Sequence, residues 1–253
     1  MRFNDKKKDD NNTLNLHEGH RNRIRERLGR NNFAEADDYQ VLEYILTLVI
    51  KRRDTNELAH TLISQFGSLA KVFNAEEQEL QKVKGITPTI SFFLHSLPFI
   101  YRNYKMSMKQ PKVNLSCPRD VFNYLGDCIY HLPQEEFYII CLDSGKNVIN
   151  HKIVAIGGNS QVAILYREIV RFAVNSNASS VVFLHNHPNA SANPSEEDIE
   201  TTRRLFMSLH VENIDVFDHV IVSSDESFYS FAHDGQLSKF QEEANLILNF
   251  DKK

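Results

Sequence analysis

No stretch of the 253-residue chain approaches eighteen consecutive apolar residues, and the opening Met-Arg-Phe-Asn-Asp-Lys-Lys-Lys lacks the apolar core of a secretory signal. A membrane span and an export signal are therefore not expected, and the chain reads as cytoplasmic. Cysteine is scarce. Cys117, Cys128 and Cys141 are odd in number and show no Cys-x-x-Cys spacing, which argues against a disulfide framework or a thiolate zinc site and leaves buried thiols as the expectation. Basic excess is also missing, since the formal net charge is −4, so a generic nucleic-acid binder is not indicated. The charge is unevenly divided, however. Up to residue 113 there are 19 Lys+Arg against 14 Asp+Glu, and beyond it 10 against 19, so the two parts suit different partners.

What is present is 42% hydrophobic content, ordinary for a globular protein with one large or two modest domains. Residues 1–16 are polar and aperiodic and are expected to form a disordered tail. Residues 17–105 read as helical. On a first helix Arg23, Arg27 and Arg30 share one face and Ile24 and Leu28 another, which makes a basic stripe open either to phosphates or simply to solvent. Asp37-Asp38 can cap a helix running to about Arg52, and Asp54 the next, which Gly67 would stop. Short helices at about 68–74 and 76–83 lead through a turn at Gly85 to an apolar helix ending near Tyr104.

Residues 106–117 lack a period, contain a proline and form the expected linker. Residues 118–253 then alternate. A helix over 118–132 precedes a hairpin of strands 135–143 and 148–156, a loop at 157–160, and a helix over 163–177. A buried strand from Val181, a helix from Ser195, strands 214–222 and 228–231 and a closing amphipathic helix over 237–250 follow. The fold class expected is an all-α N-terminal domain followed by an α/β (α+β) domain, a mixed sheet flanked by helices.

The residues that carry chemistry gather at 183–198. An apolar strand runs into His185-Asn-His187, and in an extended segment the side-chain period of two puts both imidazoles on one face. A polar loop returns Asp198 in the first turn of a helix that Ser195 can cap. Two histidines, one carboxylate and an open position for water are the ligand set of a catalytic Zn²⁺ site, and hydrolysis is the chemistry that goes with it.

The spacing His-x-His, seven residues, Ser, two residues, Asp resembles the metal motif of the JAMM/MPN (JAB) metallohydrolases. His-Asn-His-Pro followed by Pro-Ser-x-x-Asp resembles the RadC-like branch of that superfamily, as do Arg167-Glu168-Ile169-Val170, Asp218-His219-Val220-Ile221 and Tyr229-Ser230-Phe231. The chain departs from the usual RadC-like pattern at Asn189-Ala190. The resemblance implies a zinc-dependent metalloprotease-like hydrolase acting on a peptide or isopeptide bond of a protein or peptide substrate. Its general base would be a strand glutamate upstream, in a pattern similar to Glu135-x-Phe137-x-Ile139. Glu135 is the favoured candidate, and the neighbouring Glu136, on the opposite strand face, is the alternative. Ser195 would donate a hydrogen bond to the developing oxyanion.

The helical region resembles the helix-hairpin-helix element carried ahead of the metal domain in this branch. That implies a phosphate site at the Gly85 turn, with Thr87 standing where a second glycine is usual, and DNA as a partner of the helical region, for which the stripe of Arg23, Arg27 and Arg30 is the other candidate contact. A repair-type, DNA-associated accessory protein is thus a second reading, and a catalytically silent interaction module a third.

Overall fold

The computed structural model describes residues 19–30, 32–51, 54–108, 113–157 and 166–250. The expected tail at 1–16, residues 109–112 of the linker, 158–160 of the loop and the start of the helix placed at 163 lie outside them. The chain divides into two compact units, Met1–Pro98 and Phe99–Lys253. The division falls within a helix, Pro88–Ser107, so residues 106 and 107 of the expected linker are helical.

In the first unit, helix α1 (residues 19–29) turns Ile24 and Leu28 inward, both 2% exposed, and leaves Arg23 and Arg27 in solvent. Helix α2 (Asp38–Val49) starts at Asp37, whose amide donates to Gln40 Oε1. It stops short of the expected Arg52 because Ile50 is already extended, and the Arg21 guanidinium donates to the Ile50 carbonyl. Helix α3 (Asn56–Phe66) follows Thr55, which makes no side-chain cap bond, and its first amide, of Asn56, is taken by the expected Asp54 carboxylate two residues earlier. Gly67 ends it at φ 94°, a conformation that favours glycine.

Helices α4 (Leu69–Asn74) and α5 (Glu77–Leu80), with the part of α6 (Pro88–Ser107) up to Pro98, complete the unit. They pack around Leu42, Leu46, Leu62, Leu80 and Leu94, each fully buried.

The second unit is built on a five-stranded sheet: β1 (Glu136–Leu142), β2 (Val148–Ile156), β3 (Ser180–His187), β4 (Asp215–Ser223) and β5 (Phe228–Ser230), in the order β2-β1-β3-β4-β5. β1 is antiparallel to both neighbours. β3 and β4 are parallel and are joined by helix α10 (Glu196–Val211), the crossover that a parallel pair requires.

Because β1 and β3 are covered on both faces, they read as continuous apolar runs rather than alternating ones. Phe137, Ile139 and Phe183 face helices α9 (Tyr166–Asn175), α10 and α11 (Gln236–Phe250). Tyr138, Ile140, Val182 and Leu184 face the segment over 118–129.

That segment is not the single helix expected over 118–132. It runs as α7 (Pro118–Val121), a π-helical stretch (Phe122–Gly126) and α8 (Asp127–Ile129). Gly126 touches the sheet there, and a Cβ on it would lie 3.0 Å from the Phe122 ring and 3.1 Å from Val222 Cγ1. Cys128 and Cys141 are buried, but Cys117 is exposed, a correction to the sequence expectation. It sits at the N-cap of α7, where its backbone is held by the Asp120 carboxylate and its side chain has no core to enter. Among the described residues no helix is long and apolar enough to cross a membrane.

Candidate metal centre

Strand β3 ends where its side chains change from Leu184 to His185 and His187. His185 is fully buried and His187 half-buried, and both point to the α10 side of the sheet. The chain turns at Pro188-Asn189, with Asn189 at φ 56°, and reaches Ser195, the N-cap of α10. Ser195 Oγ accepts from the Asp198 amide at 3.1 Å, and in return its own amide and hydroxyl each donate to Asp198 Oδ2 at 2.7 Å. This reciprocal cap fixes the carboxylate in the first helical turn.

Three ligand-type side chains meet there. His185 Nε2 lies 3.2 Å from Asp198 Oδ1, His187 Nε2 lies 3.4 Å from Asp198 Oδ2, and the two Nε2 atoms are 3.0 Å apart. Which nitrogen carries a proton follows from the groups behind them. His187 Nδ1 is 2.9 Å from the Ser191 carbonyl, which can only accept, so that nitrogen holds the proton and neutral His187 keeps its lone pair at Nε2.

For His185 the chain of reasoning is longer. Thr202 Oγ1 lies 2.5 Å from the Asp198 carbonyl and must donate to it, so it accepts from His219 Nδ1 at 2.6 Å. His219 Nε2 is then an acceptor, 2.8 Å from His185 Nδ1, and neutral His185 also keeps its lone pair at Nε2.

Two imidazole lone pairs and a carboxylate thus face one point. Such an arrangement is self-repelling unless a proton or a metal cation sits among the three, and it matches the neutral-imidazole and carboxylate donors that a transition metal takes. The group His185, His187, Asp198 can therefore hold a metal ion.

The electrostatics have the same cause. Without a metal ion a proton can take its place on the imidazoles: burial pushes the Asp198 carboxyl up, but hydrogen bonds from His185 and His187 in their protonated forms and from Ser195 outweigh it and hold the group far below the usual carboxylate range. Burial opposes the imidazolium of His187, yet its bonds to Asp198 and Ser191 leave its pKa raised. His219 is driven well below its ordinary value, first by burial and then by the charge of His185. It stacks on Phe231 at 4.8 Å and stays a neutral link.

Glu135 stands one residue before β1. The β1–β3 register pairs Phe137 with His185, so continuing it brings Glu135 beside His187. The carboxyl is half-buried, and its pKa is raised, chiefly by burial and further by Asp198, with His185 pulling the other way. Glu136 points to the opposite face, where Arg102 and the Tyr138 hydroxyl bind its carboxylate, and is 1% exposed. Of the two glutamates, Glu135 is the one on the histidine side.

Asn186, between the two histidines, was not singled out by the sequence. Fully buried on the other strand face, it accepts from the Glu136 amide at 2.8 Å and donates to the Gln134 carbonyl at 3.0 Å, bracketing Glu135.

The DNA-binding candidates lie on the helical unit. Arg23 and Arg27 are exposed on α1, with Arg30 exposed just after it. Gly85, between α5 and α6, adopts φ 103°, and the Ile86 amide that follows is given to the Val83 carbonyl at 3.1 Å, leaving one fewer donor for an anion.

A family model described as the RadC-like JAB domain matches residues 115–236, which include Glu135 and all three ligand-type residues. A UPF0758 protein of Fusobacterium nucleatum subsp. nucleatum is 32% identical over 227 residues, covering 86% of this chain and 97% of that protein. The chain belongs to the RadC-like JAB-domain family. In this RadC-like protein the helical region and the five-stranded mixed sheet follow in the order expected. The matched span begins ahead of α7 and ends at the first residue of α11.

Proposed function

We propose that this RadC-like protein is a zinc-dependent, metalloprotease-like hydrolase that cleaves a peptide or isopeptide bond in a protein or peptide substrate. The observation supporting it is the convergence of two lone-pair-bearing Nε2 atoms and Asp198 beside a half-buried glutamate. Bound there, Zn²⁺ would supply Lewis acidity, bringing the ionisation of a water toward neutral pH.

The protein's own residues would do the rest. His185, His187 and Asp198 hold the ion. Glu135, with its pKa raised toward the working range, takes a proton from the attacking water and hands it to the leaving amine. Ser195 could polarise the substrate carbonyl only after its hydroxyl turns from Asp198 Oδ2, its present acceptor. The test is cleavage of peptide or isopeptide substrates by the zinc-loaded protein. Loss on chelation and in Glu135→Gln supports the reading, and hydrolysis that survives both overturns it.

A second reading, DNA binding by the helical unit, draws on the exposed Arg23, Arg27 and Arg30 and the positive charge of the chain up to residue 113. Binding through these groups would fall steeply with salt, and replacing the three arginines by alanine would flatten that dependence. No binding at low salt would remove this reading.

A further inference from the structure

The helical unit assembles a second set of ligand-type side chains, from three separate pieces of chain. His20 comes from α1, Glu43 from α2 and Asp54 from the turn ahead of α3. Each offers one ligand atom, and these atoms all lie within 4.8 Å of one another. His20 Nε2 is 2.9 Å from Glu43 Oε1.

A His–Glu ion pair that docks α1 would explain part of this, but it leaves an imbalance. The Glu43 side chain is 1% exposed, and a carboxylate removed from water needs compensation. Among the described residues His20 is its ion-pair partner, and only a protonated imidazole supplies charge. Asp54 adds a second carboxylate at the same point, so two carboxylates share one imidazole.

The surroundings are fixed rather than adaptable. The Asn56 amide donates to Asp54 Oδ1 at 2.9 Å, Thr55 Oγ1 donates to the Glu43 carbonyl at 3.3 Å, and Arg21 holds the end of α2 through Ile50.

We propose that His20, Glu43 and Asp54 form a second metal site, binding a divalent first-row cation and tying α1 to α2 and to the start of α3. One imidazole and two carboxylates suit a borderline-to-hard ion such as Mn²⁺ or Zn²⁺. The site gives a role to His20 within the string Gly19-His20-Arg21, which the hydrolase reading does not use.

The experiment uses the full chain carrying His185→Ala/His187→Ala, so that the centre on the sheet is removed. After chelator treatment it is titrated with Mn²⁺, the free ion being read from its electron paramagnetic resonance signal, and separately with Zn²⁺ by calorimetry. Binding of about one equivalent is expected, weakened at least about tenfold, the low end for losing even an outer partner, by adding Asp54→Asn or His20→Asn.

Asp54 is exposed, so Asp54→Asn is expected to fold. Zn²⁺ should raise the melting temperature of the background variant more than that of the Asp54→Asn form. No binding of either ion in the background variant, or binding unchanged by both substitutions, overturns the proposal and leaves an ion pair.

Discussion

His185 Nδ1 and His219 Nε2 lie 2.8 Å apart, and the proton between them belongs to His185 because Thr202, behind His219, gives its own proton to the Asp198 carbonyl. Asp198 thus supplies a ligand oxygen from its side chain and sets the tautomer of His185 from its backbone.

Thr202→Val keeps the shape and removes the hydroxyl, so His219 Nδ1 loses its acceptor and His185 is no longer held with its lone pair toward Asp198. Metal affinity should fall about 10–100-fold, as for other outer partners of ligating histidines. Thr202→Ser should restore it. Competition against a chromophoric chelator measures both, and equal affinity in all three proteins would remove the relay from the account.

Asn186→Ala takes away the hydrogen bonds that bracket Glu135 at the Glu136 amide and the Gln134 carbonyl. Leaving buried backbone groups unpaired should cost about 1–3 kcal/mol, read from the denaturant midpoint. Metal stoichiometry should stay unchanged, because the ligands lie on the other strand face.

Gly126→Ala puts a methyl 3.0 Å from Phe122 and 3.1 Å from Val222. Overpacking of this kind costs about 1–3 kcal/mol. A chemical melt that shows no loss would mean the π-helical stretch can move away from β4.

His151 supplies a pH dependence away from the metal centre. Burial lowers its pKa, and its Nδ1 lies 2.8 Å from the Tyr124 hydroxyl, which can donate to the neutral ring. The unfolded chain takes up a proton near pH ~6.5 that the folded chain refuses. Its contribution is therefore fully present above that pH and is lost as pH falls through the depressed folded value. His151→Gln should flatten the fall in stability from neutral to mildly acidic pH, and an unchanged slope would exclude this histidine as the cause.

The parts of the site legible in the sequence depend on local geometry. His185 and His187 share a face because a strand has period two, and Asp198 sits where Ser195 starts a helix. Glu135 and Glu136 could not be separated that way, since the choice depends on where β1 begins relative to β3, and one residue of shift exchanges the faces. Asn186, Thr202 and His219 act through hydrogen bonds to chain far away in sequence, so no spacing announces them. The same holds for the π-helical stretch within 118–132, where Gly126 lies close to β4, and for the exposure of Cys117 at the N-cap of α7. At α3 the cap chemistry was legible: the Asp54 carboxylate accepts from the Asn56 amide, while the neighbouring Thr55 hydroxyl is drawn to the Glu43 carbonyl far away in sequence.

The most direct test of the central claim compares the metal content of the protein, purified without added zinc, with that of His185→Ala/His187→Ala. The account predicts about one zinc equivalent fewer in the variant, whatever the helical unit holds. Equal metal content in the two proteins would contradict it and leave His185, His187 and Asp198 as a structural cluster.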